Sequence, residues 1–369
     1  MIQRTAVAVA ERKSKRVTLA DVAKAAGVSV ATASVAITGR PSGNCRVSPA
    51  VAEKIRVIAK QLNYRPNLQA RNLSTRRTHT VALLIKRAAW HNAMFYVSSA
   101  QRILRDRGYV ETFMLHPDNT VESEREHLEI CIQRGVEGII AIPLIDLQGR
   151  ANVETFNRLH TDEGIPVVQL GLALPGCVAP SVTADTPGGI GKIVTLLHAM
   201  GHRHIAMATV EGYDAPEVLS PQHFAHMVYT GYLRAMTELG LEPQIFVAKG
   251  ARTDVTHQYD QSLALGAQIA HASPRPTAVI GFSEYAAAGV MAGLAEQGLR
   301  VPQEVSVVGG GEQPFARMIR PALTTMASPY EKMGEVATET LLKLIEGGEG
   351  ASVSLLPSLN MRDSTRELK

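Results

Sequence analysis

From residue 81 onward the sequence alternates short apolar runs with longer stretches of helical periodicity, and this alternation constrains the fold most. Strands alternating with helices form βαβ units, and hence parallel sheets covered on both faces. The roughly 290 residues involved exceed what one such sheet holds, so the sequence predicts two. The predicted strands are 81–85, 110–115, 138–142, 167–170, 205–209, 244–248, 278–281 and 305–308. The predicted helices are 93–107, 121–134, 189–200, 228–239, 256–271 and 286–297.

Residues before this alternation carry a different pattern, with three short helices and no strands. Thr18 is a suitable N-cap for a first helix, which Gly27 ends. Ser29 caps a second helix over 30–38, and Ser48 caps a third. Two helices separated by a short glycine-containing turn make the helix-turn-helix pattern.

The charge is distributed unevenly along the chain. Of its 38 Lys and Arg and 34 Asp and Glu residues, residues 1–77 hold fifteen and three, which leaves 23 and 31 for the remainder. A basic head on an acidic body is typical of a nucleic-acid-binding module joined to a body with another task. The sequence therefore predicts that the helix-turn-helix segment binds DNA.

Several classes of protein are disfavoured by what the sequence lacks. No run of about 18 apolar residues is present, so no membrane span is expected. The N-terminus is too polar for a secretory signal peptide. Cys45, Cys131 and Cys177 are scattered and have no metal-ligand spacing. We expect a cytoplasmic protein with neither a cofactor nor a metal site.

Ordered sequence motifs resemble those of the LacI/GalR family of bacterial transcriptional regulators. Residues 17–35, VTLADVAKAAGVSVATASV, resemble its N-terminal domain, and residues 62–73, LNYRPNLQARNL, resemble its third helix and hinge. Further matching segments are NAMF at 92–95, GHRHI at 201–205, RVPQEVSVVG at 300–309, PALTT at 321–325 and LPSLNMR at 356–362. The resemblance extends over about residues 17–366 in the family's order.

The resemblance implies an α/β fold, with an N-terminal all-α helix-turn-helix domain and a periplasmic-binding-protein-like core of two subdomains. Each subdomain would be a parallel sheet flanked by helices, joined to the other by three crossovers, placed by position near Val182, Glu304 and Ser328. The expected domains are a disordered basic tail at 1–16, the helix-turn-helix at 17–64, a hinge helix and linker at 65–79, and an effector-binding and dimerisation core at 80–369. The expected first subdomain is 80–182 with 304–327, and the second is 183–303 with 328–369.

In a helix-turn-helix the second helix lies in the major groove and its first residues meet base edges. This assigns base contacts to Val30, Ala31 and Val35, with Thr32 and Ser34 nearby. Thr18 and Ser29 stand at helix N-termini, which suit phosphate oxygens. Tyr64 is expected to brace the docked domain.

The family usually has Arg where this chain has Val35, and Arg is the side chain that reads guanine with two hydrogen bonds. We therefore expect weak major-groove reading and more reliance on phosphates and on the hinge. The family's hinge helix inserts a Leu into the minor groove, which here is Leu73, with Asn67 and Ala70 on a similar face. The alternatives are a helix-turn-helix that no longer binds specifically and an ordinary linker role for Leu73.

Open α/β sheets bind ligands at the carboxyl ends of their strands, so the effector pocket is expected between the two sheets. The family's pattern nominates Met94, Phe95, Asp185, Gln222, Val228, Arg252 and Glu284. Taken singly, Phe95 and Val228 also fit a core role, Asp185 a helix cap and Arg252 a solvated surface.

Six positions in this predicted pocket depart from the family's usual residues. Val228 replaces an Arg that grips ligand oxygens, Glu284 and Gly171 each replace an Asp, and Gly310-Gly311-Glu312 replaces an aromatic residue and two Asp. Arg252 restores a positive group, which favours a carboxylated or phosphorylated ligand.

The sequence predicts a homodimeric regulator, most simply a repressor, that binds double-stranded operator DNA. Its effector would be a sugar, a sugar acid or a related metabolite. Two alternatives remain, an enzyme and a transporter's solute-binding protein. The histidines of His202-Arg203-His204 have no carboxylate partner in sequence and Gly188-Gly189 lacks phosphate-loop spacing, so we expect no enzyme.

Overall fold

A computed structural model of the chain describes residues 17–39, 46–65, 77–86, 90–116, 120–146, 150–211, 224–249 and 255–368. The chain divides into two compact units, Met1–Arg77 and Thr78–Lys369.

The N-terminal unit contains three helices, α1 (Leu19–Ala26), α2 (Val30–Thr38) and α3 (Pro49–Gln61). The three predicted caps are confirmed. The Thr18 hydroxyl accepts from the Asp21 N–H at 3.3 Å, while the Asp21 carboxylate accepts from the Thr18 N–H at 2.8 Å. Gly27 ends α1 with φ at 67°, in the left-handed region that glycine adopts without strain. The bend from α1 to α2 is 103°, as in a helix-turn-helix.

Small and branched apolar side chains form the core of this unit. Val22, Ala33, Ala36 and Ile55 are almost completely buried where the three helices meet. Alanines at these positions let the helix backbones approach closely. Arg56 adds a hydrogen bond between α3 and α2, in which its Nε donates to the Ala36 carbonyl at 3.1 Å.

The first sheet of the core is entirely parallel. Its strands are β1 (Thr80–Lys86), β2 (Val110–His116), β3 (Gly138–Ala141), β4 (Val167–Leu170), β5 (Ser181–Ala184) and β11 (Val353–Leu355), in the order β11-β5-β4-β3-β1-β2. Helices α4 (Trp90–Asp106) and α12 (Tyr330–Ile345) pack on one face, and α5 (Val121–Gln133) and α6 (Val153–Thr161) on the other. Alternate residues of β1 face these two layers, as a doubly covered sheet requires.

The second sheet is parallel except for one edge strand. Its strands are β6 (Ile205–Val210), β7 (Gln244–Ala248), β8 (Ala278–Gly281), β9 (Ser306–Gly310), β10 (Thr324–Ala327) and β12 (Ser358–Asn360), in the order β12-β10-β9-β8-β6-β7. Strand β12 runs antiparallel to β10. The accompanying helices are α7 (Thr186–Ala199), α8 (Phe224–Glu238), α9 (Val255–Leu263), α10 (Leu265–Ala270) and α11 (Glu284–Glu296).

Three connections join the two sheets, and one of them differs from the expectation. The chain crosses at 184–186, 327–330 and 355–358. The expected crossover near Glu304 is wrong, because β9 pairs with β8 and leaves residues 304–327 in the second subdomain. Residues 330–355 return to the first subdomain as α12 and β11, where β11 pairs with β5.

Two further features bear on the sequence-based expectations. The single helix expected over 256–271 is two helices, α9 and α10, which meet at Ala264. In the described part of the chain no single helix is long and apolar enough to cross a bilayer, and only the sharply bent pair α1–α2 meets the length and composition test together.

Candidate DNA-binding surface and effector cleft

The N-terminal end of α2 is exposed, as a base-reading helix requires. Ser29, Val30 and Ala31 face solvent, with 49% of Val30 accessible, and Thr32 and Ser34 are half-buried. The Ser29 hydroxyl caps the helix, accepting from the Thr32 N–H at 3.1 Å. This end of α2 therefore presents small polar and apolar side chains around a helix N-terminus, which suits phosphate oxygens and thymine methyl groups.

Val35 does not belong to this exposed face. Its side chain is only 8% accessible, and it lies about 140° around the helix from Val30, five residues earlier. The structure therefore contradicts the expectation that Val35 reaches the bases. Where the family's Arg extends outward, this chain has a short apolar side chain turned toward its own domain.

The other predicted DNA contacts have mixed outcomes. Thr18 is exposed at the start of α1, and Tyr64 is half-buried against the helical core. Their roles toward DNA stay predictions. The predicted hinge contacts Asn67, Ala70 and Leu73 lie outside the described residues.

A hydrogen bond joins the carboxyl edges of the two sheets. Asn92 lies in the first turn of α4, which follows β1, and Gln313 follows the end of β9. The Gln313 Nε2 donates to the Asn92 Oδ1 at 2.6 Å. The two carboxyl edges therefore face each other, which is the arrangement in which α/β sheets enclose a ligand.

Aromatic side chains stand beside this contact. The Phe95 ring stacks on Tyr330 with centroids 6.0 Å apart, and Tyr96 meets Tyr330 edge-on at 5.3 Å. Tyr330 begins α12 immediately after the second connection between the sheets. Sequence reasoning missed Tyr96, Tyr330 and Gln313, and the one available signal was the place of Tyr330 directly after a crossover.

Glu284 serves the backbone rather than the cleft, contrary to the prediction. It is 1% accessible, and its carboxylate accepts from the Glu312 N–H at 2.8 Å and the Gln313 N–H at 2.6 Å. Burial raises the pKa of Glu284 to about 7, although both backbone hydrogen bonds favour the ionised form. Glu284 thus fixes the loop that carries Gln313.

Glu312 is paired on all sides. It forms ion pairs with Arg317 at 2.7 Å and with Arg362, and its other oxygen accepts from the Thr325 hydroxyl at 2.5 Å. Desolvation alone would raise the pKa of Glu312, but these hydrogen bonds outweigh it and lower the pKa to about 2. The acidic groups on this edge of the second sheet are therefore committed to the protein itself.

The remaining predicted effector residues divide into three groups. Val228 is 1% accessible and lies in the hydrophobic core of the second subdomain, so the structure contradicts its place in the pocket. Met94 is 47% exposed, while Asp185 caps α7 by accepting from the Gly188 N–H at 3.0 Å. Gln222 and Arg252 lie outside the described residues.

The edge of the first sheet holds a second buried carboxylate. Glu124, in the first turn of α5, is completely buried and accepts from the Leu144 N–H and from the Asn152 side-chain amide, each at 2.8 Å. Burial raises the pKa of Glu124 to about 7. Lys86, the last residue of β1, is close enough to Glu124 for their charges to interact, and burial lowers its pKa.

Two family models match the chain. Residues 18–67 match bacterial regulatory proteins of the lacI family, and residues 194–365 match the periplasmic binding protein-like domain. The chain belongs to the LacI family of bacterial regulatory proteins. The LacI-family assignment thus agrees with the helix-turn-helix unit and the two-sheet core.

Relatives and solved structures align over almost the whole length. Catabolite control protein A of Priestia megaterium is 29% identical over 355 residues, covering 95% of this chain and 99% of that protein. The HTH-type transcriptional repressor PurR of Vibrio cholerae is 26% identical over 356 residues, covering 95% and 98%. The crystal structure of the lac repressor dimer bound to operator and the anti-inducer ONPF has a TM-score of 0.77 at 23% identity, covering 95% of this chain and all of that one, which shows a shared fold.

Proposed function

We propose that this LacI-family chain is a sequence-specific transcriptional repressor whose hold on operator DNA is switched by a small molecule bound between the two core subdomains. The observation that carries the proposal is the exposed N-terminal end of α2 on a chain whose core brings two carboxyl sheet edges together. The basic charge of residues 1–77 supports it, because phosphate neutralisation supplies much of the affinity for DNA.

The base contacts in this proposal come from Val30 and Ala31, with phosphate contacts from Ser29 and Thr18. Apolar side chains of this size discriminate through thymine methyl groups rather than through guanine. We therefore expect an operator rich in A·T pairs at the positions under α2. Its affinity depends steeply on salt, since phosphate contacts dominate.

Dimerisation would use two exposed apolar regions of the core. On the edge strand β2, Phe113 and Leu115 are 45% and 42% accessible. A groove in the second subdomain is lined by Tyr259, Met291 and Ile319 among others, and Met318 beside it is 72% accessible. A second copy covering both regions would set two α2 helices on a two-fold symmetric site.

The test is selection of DNA fragments by the purified full-length protein, with and without mixtures of metabolites. We expect enrichment of one palindromic site, and loss of that enrichment when the effector is added. Val30→Asp places a negative charge at the DNA-facing end of α2 and should abolish the enrichment while the melting temperature stays unchanged. Failure of the wild-type protein to prefer any duplex at low salt would overturn the proposal.

Met318→Asp tests the dimer, and Met361→Asp is its matched control. Met361 is 48% exposed but lies outside both apolar regions. We expect Met318→Asp to yield a monomer by analytical ultracentrifugation and to weaken operator binding at least tenfold. Met361→Asp should change neither, and equal dimerisation of all three proteins would remove this groove from the interface.

A further inference from the structure

Lys86 is a half-buried cation without a described partner to neutralise it. It is the last residue of β1, at the carboxyl edge that faces the second sheet. In the described part of the chain its ammonium group makes neither a hydrogen bond nor an ion pair, and Glu124 is the one charge recorded as acting on it. A buried charge left unpaired costs free energy, so its presence calls for a counter-charge from elsewhere.

Glu124 does not fill that role in the described part of the chain, because its oxygens accept from other groups and no ion pair joins it to Lys86. One accepts from the Leu144 N–H and the other from the Asn152 amide, both at 2.8 Å. Asn152 is itself held in place, since its Nδ2 also donates to the Val121 carbonyl at 2.7 Å. Glu124 therefore fixes the loop after β3 to the start of α5 and forms no described ion pair with Lys86.

The charges described at the start of α5 and in the loop after β3 also pair among themselves. Arg150 Nε lies 2.6 Å from the Asp146 carboxylate, and its Nη1 lies 4.0 Å from Glu122 of α5. On the facing edge, Glu284 is bound by backbone N–H groups and Glu312 by two arginines. Asp146, Glu122 and Glu312 thus have arginine partners, whereas Lys86 is left without a described counter-ion.

We propose that Lys86 binds an anionic oxygen group of the effector, a carboxylate or a phosphate, at the carboxyl edge of the first sheet. The inference rests on the proposed function, because it places this group in the cleft whose ligand switches DNA binding. It names the ligand class as anionic and excludes an effector bound through neutral hydroxyl groups alone.

Sulfate is the probe, because its charge is constant between pH 6 and pH 8. The wild-type protein is titrated with sulfate at fixed ionic strength, with chloride as the balancing anion, and its melting temperature is recorded. We expect a saturable rise of about 2 °C, since a ligand that binds only the folded state stabilises it. A rise that stays linear in sulfate is the general salting effect and counts against the site.

Lys86→Met removes the charge and keeps the apolar stem, and Lys192→Met is its matched control at an exposed lysine of α7. We expect Lys86→Met to lose the saturable rise and Lys86→Arg to retain it, while Lys192→Met behaves as wild type. Without sulfate, Lys86→Met should melt no lower than wild type, because an unpaired buried charge is gone. A marked drop would mean that Lys86 is a structural counter-ion of Glu124, and would overturn the inference.

The pH dependence of sulfate binding gives a second test of the Lys86 site. An anion beside Lys86 favours the charged lysine and the protonated form of Glu124, so binding takes up protons. We expect sulfate to bind about threefold more tightly at pH 6 than at pH 8, and Glu124→Gln to bind it more tightly and with a smaller pH dependence. Binding that is equal at both pH values would contradict the site.

Failure of this inference and failure of the proposed function give different results. Operator selection without effector depends on α2 and not on Lys86, so Lys86→Met should select the same fragments as wild type. Loss of the sulfate response with intact operator selection supports both proposals. An unchanged sulfate response with intact selection refutes the anion site alone, and selection that fails in both proteins refutes the regulator.

Discussion

The two sheet edges that face each other each carry a buried glutamate in the first turn of a helix, and the two glutamates differ in their surroundings. Glu124 on the first edge and Glu284 on the second each accept two N–H donors, and burial raises the pKa of each to about 7. Beside Glu284 lies Glu312, which is paired with two arginines. Beside Glu124 lies Lys86, which is paired with none in the described residues.

The two edges therefore differ in whether their charged groups have counter-charges within the protein. On the second edge, Glu312 is neutralised by Arg317 and Arg362, and Glu284 accepts from two backbone N–H groups, which fixes the loop that carries Gln313. On the first edge, one cation is left over for a ligand. The buried carboxylate on one side of the cleft fixes the loop that carries Gln313. On the other side, a similar carboxylate leaves Lys86 without an ion pair.

Removing the ion pair between Arg362 and Glu312 should produce the largest effect on stability. Arg362 is 13% exposed in its pair with Glu312, and its guanidinium also donates to the Leu323 carbonyl at 2.7 Å. Arg362→Met leaves Glu312 with only the exposed Arg317, and we expect a loss of about 3 kcal/mol in the free energy of unfolding. Urea denaturation at pH 7 measures it.

An exposed ion pair supplies the control for this substitution. Arg234 and Glu238 lie 3.5 Å apart with side chains 60% and 67% exposed, so Arg234→Met should change stability by less than about 0.5 kcal/mol. Equal effects of the two substitutions would show that the Glu312 network is no stronger than a surface pair.

The two glutamates predict that the core loses stability as the pH rises. A carboxyl whose folded pKa is raised to about 7 from 4.5 stabilises the fold below pH 4.5, and this contribution is lost as the pH rises through 7. Glu312, with its pKa of about 2, loses its contribution only as the pH falls toward 2, so it adds no slope between pH 5 and pH 8. We expect Glu284 and Glu124 each to account for a decrease on the order of 2 kcal/mol over that range.

Glu284→Gln should remove its share of this decrease, because the amide does not titrate. Urea denaturation at pH 5 and pH 8 compares it with Glu296→Gln, an exposed position on the same helix. The control should keep the full slope of the wild type. If Glu284→Gln also kept the full slope of stability with pH, burial would not be raising the pKa of Glu284.

Local signals in the sequence predicted much of the fold, whereas pairing between distant segments did not follow from it. The caps Thr18, Ser29 and Ser48 act within one helical turn, and all three are observed. Buried interior strands such as β4 and β8 were predicted to the residue because an apolar run is enough to specify them. Strands β5, β10, β11 and β12 were missed. Strand β5 pairs with β11 and β10 pairs with β12, so each has a partner far along the chain.

The sites show the same division. The resemblance nominated residues on α2 and near the facing sheet edges, but it did not predict what each side chain contacts once its neighbours are present. Glu284 and Val228 occupy the nominated positions, yet one binds backbone N–H groups and the other fills a core. Lys86 carried no motif, because the absence of a counter-charge is a property of the folded chain and not of the sequence.

The smallest predicted effect concerns the bond that joins the two edges. Gln313 Nε2 and Asn92 Oδ1 are 2.6 Å apart, and Glu284 holds the Gln313 backbone in position. A double-mutant cycle of Asn92→Ala and Gln313→Ala should give a coupling energy of about 1 kcal/mol in urea unfolding, the usual worth of a neutral hydrogen bond. Asn92→Ala combined with Gln297→Ala, at an exposed position after α11, should be additive.

The same cycle run in the Glu284→Gln variant tests whether Glu284 strengthens the hydrogen bond between Gln313 and Asn92. If Glu284 positions the loop that carries Gln313, the coupling should shrink in this variant, because the amide replaces one of the two accepting oxygens with an NH2 group, which only donates. A coupling of unchanged size would show that Gln313 reaches Asn92 without help from Glu284. The hydrogen bonds of Glu284 would then stabilise only its own sheet edge and would have no effect on the contact between the two subdomains.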